Sequence, residues 1–282
     1  MRTPLPAMVT ALAGLLAGLL AVLLAGCTGP TGAPGDDPAP SSPSPSSSSA
    51  PVGTEAPDPG PTPEVGECHA LSMRQAVAVV GRTAPVPCRR PHTAQTFFVG
   101  RLDLTTGSGF TRRVDSQAAQ RQMSRACTTR LPRHLGRTPR ELRLRMVRAV
   151  WFGPSQARAD AGADWFRCDI VAVAAPGTLL RLPRRTKGWD APAMCATAEP
   201  GSRGFRRVAC GAKHSWRAAA TVDIPGRRLP ARDAVAARMD PVCRDVAADA
   251  TDDPLDFSWS QESPTREQWV AGQRYGICWV PA

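Results

Sequence analysis

A four-cysteine pattern that occurs twice is the feature that most constrains how this chain can fold. The first set is Cys68, Cys88, Cys127 and Cys168, and the second set is Cys195, Cys210, Cys243 and Cys278. The ninth cysteine, Cys27, stands apart near the start of the chain. Because each set can be cross-linked within itself, the pattern indicates two tandem units built on one plan.

Other residues recur in step with the cysteines. A Cys-x3-His motif ends at His92 in the first copy and at His214 in the second. Further landmarks at identical spacings are Pro154, Gly162, Trp165 and Cys168 in the first copy, and Pro264, Gly272, Tyr275 and Cys278 in the second. Several such coincidences in the same order favour an internal duplication.

The start of the chain has the pattern of a bacterial lipoprotein signal. Arg2 precedes an apolar run that leads to Leu24-Ala25-Gly26-Cys27, a lipobox. We therefore predict a signal peptide over residues 1–26 and a diacylglyceryl anchor on Cys27, whose acyl chains would hold the protein on the membrane. The alternative is an uncleaved transmembrane helix with an incidental cysteine. Either interpretation places the rest of the chain on the extracytoplasmic side of the cell membrane.

Residues 27–66 are predicted to form a disordered tether that carries the lipidated cysteine. The segment is rich in Pro, Ser, Gly and Thr and contains no Lys or Arg. Such a composition cannot bury enough apolar surface to offset the entropy of ordering the chain. The two folded units are then expected over residues 67–175 and 189–282.

The folded part is strongly basic. Residues 67–282 have a formal charge of +15, which is the total of +11 with Arg2 and the five earlier acidic residues set aside. A basic surface favours anionic partners such as phospholipid headgroups or acidic wall polymers. Nucleic acid is not expected, because an exported chain rarely meets it. The competing interpretation is codon bias, because all basic residues except Lys187 and Lys213 are arginine, apart from four histidines.

Hydrophobic periodicity predicts the same elements in both units. A helical stripe in the first copy contains Ala119, Met123, Cys127 and Leu131, and its counterpart contains Val235, Met239, Cys243 and Val246. Pro241 would kink or restart the second helix. Strands are predicted at 96–102, 143–151, 216–224 and in the segment that reaches Cys168. The fold class is therefore α+β, with an antiparallel sheet and one main helix in each unit.

The paired cysteines are expected to form disulfides, because even sets of cysteines outside the cytoplasm normally do. Four cysteines allow three connectivities in each unit. We favour sequential pairing, which keeps each bond within its unit: Cys68–Cys88, Cys127–Cys168, Cys195–Cys210 and Cys243–Cys278. The alternative is a metal site made from Cys-x3-His and another cysteine, but zinc sites favour close pairs such as Cys-x2-Cys, which this sequence lacks.

Three more residues are candidate structural or binding positions: His92, His214 and Trp269. Each histidine either binds a ligand or bonds the backbone where a strand begins. Trp269 either packs in the core or offers a platform to a ligand. No serine, histidine or carboxylate recurs in a catalytic arrangement, so we predict no enzyme activity, no catalytic residue, no cofactor and no metal.

These motifs together resemble the actinobacterial septum formation family. The residues that carry the resemblance are Gly66-Glu67-Cys68, Val86-Pro87-Cys88, Pro91-His92, the helical cysteine, and the closing Trp269, Gly272 and Cys278. The likeness covers residues 65–280 as two copies, although Ala159 and Asp164 replace the tryptophan and arginine of the second copy. It implies an envelope-associated, non-enzymatic domain linked to cell division, and it supplies no catalytic residues.

The expected function is that of a membrane-anchored envelope lipoprotein that binds or scaffolds at the division septum. Its expected partners are the membrane, anionic wall polymers and envelope or division proteins. One alternative is an extracytoplasmic small-ligand-binding or sensory lipoprotein that uses a cleft between the two units. Another is an envelope enzyme, which would require polar side chains that converge in a pocket.

Overall fold

The computed structural model describes residues 58–109, 111–253 and 256–282, which belong to one compact unit over Thr54–Ala282. The predicted signal peptide, Cys27 and most of the predicted tether lie outside the described residues. No helix in the described ranges is both long enough and apolar enough to cross a membrane.

The first half of the unit contains an antiparallel sheet and a long helix. Its elements are β1 (Cys68–His69), α1 (Met73–Ala76), β2 (Ala94–Arg101), α2 (Gln117–Leu135), α3 (Pro139–Leu142), β3 (Val147–Phe152), α4 (Gln156–Asp160), β4 (Trp165–Ala175) and β5 (Thr178–Leu179). The strand order is β1-β2-β4-β3, and β5 pairs with β4. The central strand β4 is therefore covered on both edges by backbone hydrogen bonds.

The second half contains another antiparallel sheet and a second long helix. Its elements are β6 (Met194–Ala196), β7 (Arg207–Ala209), β8 (Trp216–Asp223), α5 (Arg232–Ala248), β9 (Ser260–Glu262), α6 (Arg266–Val270) and β10 (Tyr275–Pro281). The strand order is β7-β6-β8-β10-β9. Apart from β7, this order repeats that of the first sheet, strand for strand. The expected α+β class is confirmed, with one sheet in each half.

The two sheets also share their register. Cys168 on β4 lies opposite Phe98, and the next pair, Asp169 with Thr96, follows a bulge. In the second sheet Cys278 lies opposite Ala220, and after a bulge at the same step Trp279 lies opposite Ala218. Because a one-residue slip would turn every side chain to the other face, this agreement makes the two sheets equivalent position by position.

Each long helix packs on one face of its own sheet. The buried side of α2 is the predicted stripe extended by Leu135. That of α5 is Val235, Met239, Cys243 and Ala247, so Ala247 takes the place predicted for Val246, which is half-buried. Ser116 caps α2 by accepting a hydrogen bond from the Ala119 N–H, and Gly136 ends the helix with a left-handed φ of 65°. Pro241 does not divide α5, which is assigned as one helix through that residue.

Four disulfides join the elements within each half: Cys68–Cys88, Cys127–Cys168, Cys195–Cys210 and Cys243–Cys278. These are the pairs that sequential pairing predicts. In each half, one bond ties the long helix to the central strand, and the other ties the first strand to the loop before the next long strand. Since the eight cysteines in the described residues are all paired, none of these eight is left as a thiolate ligand for the alternative metal site.

Two predicted boundaries differ from the structure. The strand predicted over 143–151 begins only at Val147. A capping box between Thr138 and Glu141 starts α3, and this helix and the turn that follows it take up residues 139–144. Residues 58–66 of the predicted tether are described, and the Gly66 N–H donates to the Thr96 carbonyl at 2.8 Å. The described part of the fold therefore includes residues before 67.

The two halves are joined by an apolar cluster rather than by a cleft. Ile277 and Trp279 of the second half pack in this cluster with Met146 and partly buried Val173 of the first half. Backbone hydrogen bonds run from Met146 N–H to the Pro192 carbonyl at 2.8 Å and from the Met194 N–H to the Leu144 carbonyl at 2.9 Å. The second sheet therefore uses the first half as its apolar cover.

Candidate functional site

The site begins with the alternation of side chains along the central strand β4. Phe166, Cys168 and Ile170 face the core beneath α2. Since neighbours on a strand point to opposite faces, Trp165, Arg167 and Asp169 face the other side of the sheet. Segments between residues 61 and 85 cover that side, so two charged side chains are enclosed within the fold.

Arg167 and Asp169 form the centre of a buried polar cluster. Arg167 is 4% exposed and Asp169 is fully buried. The Arg167 Nε lies 3.3 Å from Asp169 Oδ2, and the Thr96 hydroxyl donates to Asp169 Oδ1 at 2.7 Å. The Arg167 guanidinium also lies 4.9 Å above the Phe152 ring. A buried ion pair of this kind is costly to desolvate, so its partners hold each other in place without guaranteeing stability.

His69 completes the cluster as a neutral acceptor. The Arg167 Nη1 donates to His69 Nε2 at 2.7 Å. Burial and, as the second cause, the positive charge of Arg167 lower the His69 pKa to about 4. The Glu67 carboxylate is 3.6 Å from the same nitrogen, but a neutral imidazole forms no ion pair with it. The protein thus holds His69 uncharged at neutral pH.

Burial acts in the opposite sense on Asp169. Loss of water raises the Asp169 pKa to about 6, although the charge of Arg167 and the hydrogen bond from Thr96 oppose this shift. The carboxyl group is therefore ionised at neutral pH but gains a proton in mildly acidic conditions.

A cavity of about 490 Å³ lies above this cluster. Its walls come from residues 61–63, from the loop 80–85, and from the turn between β3 and α4. Arg82, Arg158 and Arg167 line it together with one carboxylate, that of Glu67. Its size falls within the range of small-molecule sites, and its lining has an excess of positive charge.

Two side chains in the cavity lining have hydrogen-bond donors without a partner. Among the described residues, neither the Arg167 Nη2 nor the Trp165 Nε1 has an acceptor, and both atoms are shielded from solvent. The loop passes close above the guanidinium because residue 81 is glycine, where a Cβ would stand 3.2 Å from Arg167 Nη2. A buried donor without an acceptor costs about 1–3 kcal/mol of free energy. A ligand that supplies an oxygen acceptor would remove this cost.

The structure places the two recurring histidines outside this cavity. His92 is buried, and its ring nitrogens lie 2.9 Å from the Arg90 carbonyl and 3.2 Å from the Pro183 carbonyl. His214 is half-buried, with Nδ1 2.7 Å from the Ala212 carbonyl. Each ring therefore bonds the carbonyl two residues before it, in the loop that precedes a long strand.

Trp269 lies in the buried cluster beneath α5. The Arg274 guanidinium stacks on the Trp269 ring at 4.1 Å and donates to the Trp269 carbonyl oxygen. Trp269 is thus far from the cavity lining of the first half, and it contributes packing within the second half.

The sequence patterns do not single out Glu67, His69, Arg167 or Asp169 as functional residues. One signal was present, because Arg167 and Asp169 flank Cys168 in a segment that otherwise continues into an apolar run. Charges at alternate positions of a central strand must either face solvent or be enclosed with partners. The sequence alone does not decide between these outcomes.

A second charged feature lies on the outer side of α2. The helix contains four arginines and no acidic residue, and Arg121, Arg125 and Arg130 line a shallow groove on its exposed face. The corresponding helix α5 contains Arg232, Arg238 and Arg244, balanced by three aspartates. The basic surface is therefore unevenly distributed between the halves.

A two-sheet α+β fold with four disulfides defines a disulfide-stabilised protein of the kind that functions outside the cytoplasm. The chain matches the model of the family described as "Septum formation" over residues 65–278, and it belongs to that family. The match extends across both halves and indicates a role related to cell division. No curated protein and no solved structure matches the chain significantly.

Proposed function

We propose that this protein is a membrane-anchored envelope lipoprotein with a non-enzymatic binding or scaffolding role in septum formation. The observation that carries the proposal is the family match over residues 65–278. The lipobox that ends at Cys27 supports the anchor, and the disulfides support an extracytoplasmic position. The folded unit would act close to the outer surface of the membrane.

The arginine face of α2 supports an anionic wall polymer as the partner. Arg121 and Arg125 are exposed on adjacent turns of a helix that has no acidic residue. Arg130 extends the same groove and is held by stacking over the Phe98 ring at 4.1 Å. Such a strip attracts a polyanion over distances of about the Debye length, roughly 8–10 Å at physiological salt.

Imaging tests the septal role. A fluorescent fusion with residues 1–27 intact, produced in dividing cells of the source bacterium, is expected to be enriched at septa. The Cys27→Ala variant is expected to leave the membrane fraction, because it lacks the site of lipidation. Uniform peripheral signal from the intact fusion would contradict the septal role, and membrane retention of the variant would contradict the lipid anchor.

Co-sedimentation with isolated cell walls tests the binding face. We expect the R121Q/R125Q variant to sediment several-fold less than the wild type at low salt. The matched control is R232Q/R244Q on α5, which removes the same charge from the helix at the equivalent position. Equal losses in both variants would mean that net charge rather than the α2 face drives binding.

The cavity favours small-ligand binding as a second candidate function. It contains a buried guanidinium with an unused donor, which a purely structural site does not need. The location differs from the expected cleft between the units, because that position is filled by the apolar cluster around Ile277 and Trp279.

A further inference from the structure

We propose that the cavity of the first half is an oxyanion site that binds a small molecule through its carboxylate or phosphate group. The Arg167 Nη2 and the Trp165 indole N–H are the anchoring donors. The inference deepens the second candidate function and is independent of the anchor and of septal position. The imaging experiment and the titration described below can therefore fail separately.

The two donors lie on the same side of the sheet. Trp165 and Arg167 are two residues apart on one strand, so their side chains share a face of the sheet. Both line the same cavity, and both have a donor atom without an acceptor in the described part of the chain. A ligand with oxygen atoms would supply acceptors to both donors.

The guanidinium is held in place by two neighbours. Its Nη1 donates to His69, and its Nε lies 3.3 Å from Asp169 Oδ2 in an ion pair without hydrogen-bond geometry, so Nη2 is the nitrogen with neither kind of partner in the described part of the chain. The side chain is fixed on both of its other edges and stacked over Phe152, which leaves little conformational entropy to lose on binding. Arginine is the residue best suited to carboxylate and phosphate groups because its charge is permanent and its donors are planar.

The rim of the cavity is positively charged. Arg82 and Arg158 are exposed at the cavity and add positive charge above Arg167. Glu67 is the single acidic side chain in the lining, and it disfavours an anion close to it. Three cations against one carboxylate favour an anion over a neutral oxygen compound. A carboxylate or a phosphate satisfies the same donors, so the probes must separate these two sources.

The loop 80–85 would have to move for a ligand to reach the donors. Both donor atoms are shielded from solvent in the unliganded fold, and Gly81 lies directly against Arg167 Nη2. Residues 80–85 contain no strand or helix, so a local displacement breaks few hydrogen bonds. We therefore expect binding to change hydrogen exchange in this loop and to leave α5 unchanged.

The test is isothermal titration of the full-length chain, purified in detergent solution, with three probes. N-acetyl-alanine supplies a carboxylate, glycerol 3-phosphate supplies a phosphate, and N-acetyl-alanine amide is the neutral counterpart of the first. We expect saturable binding of at least one anion and an affinity at least about tenfold weaker for the neutral amide, because the amide lacks the charge that Arg167 pairs with. Whichever anion binds more tightly identifies the source of the oxyanion.

Two variants keep the test decisive even if changes at Arg167 impair folding. Trp165→Phe removes one unpartnered donor but retains an aromatic ring, so it is expected to fold and to bind the anion about tenfold more weakly. The matched control is Arg266→Gln, which removes a charge at the cavity of the second half and should bind like the wild type. The proposal is overturned by equal binding of acid and amide, by the absence of saturable binding of both anions, or by equal losses in the two variants.

Discussion

The two halves of this protein have the same sheet but enclose opposite chemistry on the face away from the long helix. In the first half that face has Glu67, His69, Arg167 and Asp169; at the equivalent positions the second half has Met194, Ala196, Ile277 and Trp279. The first face is covered by its own loops and contains a cavity. The second is covered by the first half and is packed mainly with apolar side chains; its one ion pair in the described residues, Arg207 with Glu262, lies beside Ala196 and Ile277 and is partly exposed.

The comparison shows how this fold accommodates charged side chains on an enclosed sheet face: hydrogen-bond and ion-pair partners accompany them. Thr96 donates to Asp169 in the first half, whereas its counterpart in the second half is Ala218. Replacing a buried ion pair by apolar residues of suitable volume is often neutral or stabilising, so the ion pair of the first half is not explained by stability alone. The first half retains the polar one, which is consistent with a binding role.

The largest expected effect on stability comes from placing a charge on the mainly apolar sheet face of the second half. Ile277→Arg places a guanidinium in the apolar cluster between the halves, where Ile277 is 1% exposed and the carboxylate of Glu262, on the residue paired with Ile277, is already bound to Arg207. We expect a loss of about 5 kcal/mol of unfolding free energy, or failure to fold. Denaturant unfolding measures it, with Ile277→Met as the control, expected to lose less than about 1.5 kcal/mol. A loss below about 1 kcal/mol for the arginine variant would show that the halves do not differ as described.

The next largest effect on stability concerns the disulfide between the long helix and the central strand, which both halves have. Replacing Cys127 and Cys168 by alanine, or Cys243 and Cys278 by alanine, removes the bond between the long helix and the central strand. The bridged separations are 41 and 35 residues, so chain entropy predicts losses of about 4 kcal/mol that are nearly equal. Urea unfolding of the two double variants checks this. A difference above roughly 2 kcal/mol would mean that the two bonds are not equivalent supports.

A smaller, pH-dependent effect belongs to the first half alone. Because the folded pKa of Asp169 is raised to about 6, its contribution to stability is complete below about pH 4 and is lost as pH rises through 6. Asp169→Asn lacks this loss, so its stability relative to the wild type should increase between pH 4 and 6. Thermal unfolding across this range measures the difference.

His69→Gln supplies the opposite control for that experiment. The folded pKa of His69 is lowered to about 4, so its contribution is complete above pH 6.5 and is lost as pH falls through 4. The stability of His69→Gln relative to the wild type should therefore decrease as pH rises from 4 to 6.5. If both variants give flat differences, the two groups are not enclosed as the structure describes.

The smallest effect concerns the exposed contacts between the halves. Asp223 pairs with Arg140 at 2.6 Å and with Arg143 at 2.5 Å, but its side chain is half exposed. Solvent screens such pairs, so Asp223→Asn should cost less than about 1 kcal/mol. The value is obtained from chemical denaturation in low and high salt. A loss above roughly 2 kcal/mol would identify this ion pair, rather than the apolar cluster, as the main link between the halves.

Much of the architecture followed from spacing in the sequence. The period of Met123 and Cys127 predicted the buried side of α2, because apolar residues four apart lie on one helical face. The duplicated cysteines predicted two equivalent sheets, and the register around Cys168 and Cys278 agrees with that. The strand predicted from Arg143 onward was wrong at its start, because the local capping box of Thr138 and Glu141 outweighed the alternation of basic and apolar residues.

The candidate site could not be predicted in the same way. The sequence by itself determined the buried stripe of α2 and most of the strand pattern, since these depend on side chains that recur at fixed local intervals, and it favoured the sequential cysteine pairs without excluding the others. Only the tertiary structure decided that Arg167 and Asp169 are enclosed and that Ile277 and Trp279 are packed against the first half. Whether a sheet face is covered by its own loop or by another sheet depends on contacts between residues far apart in the chain, and no local period records them.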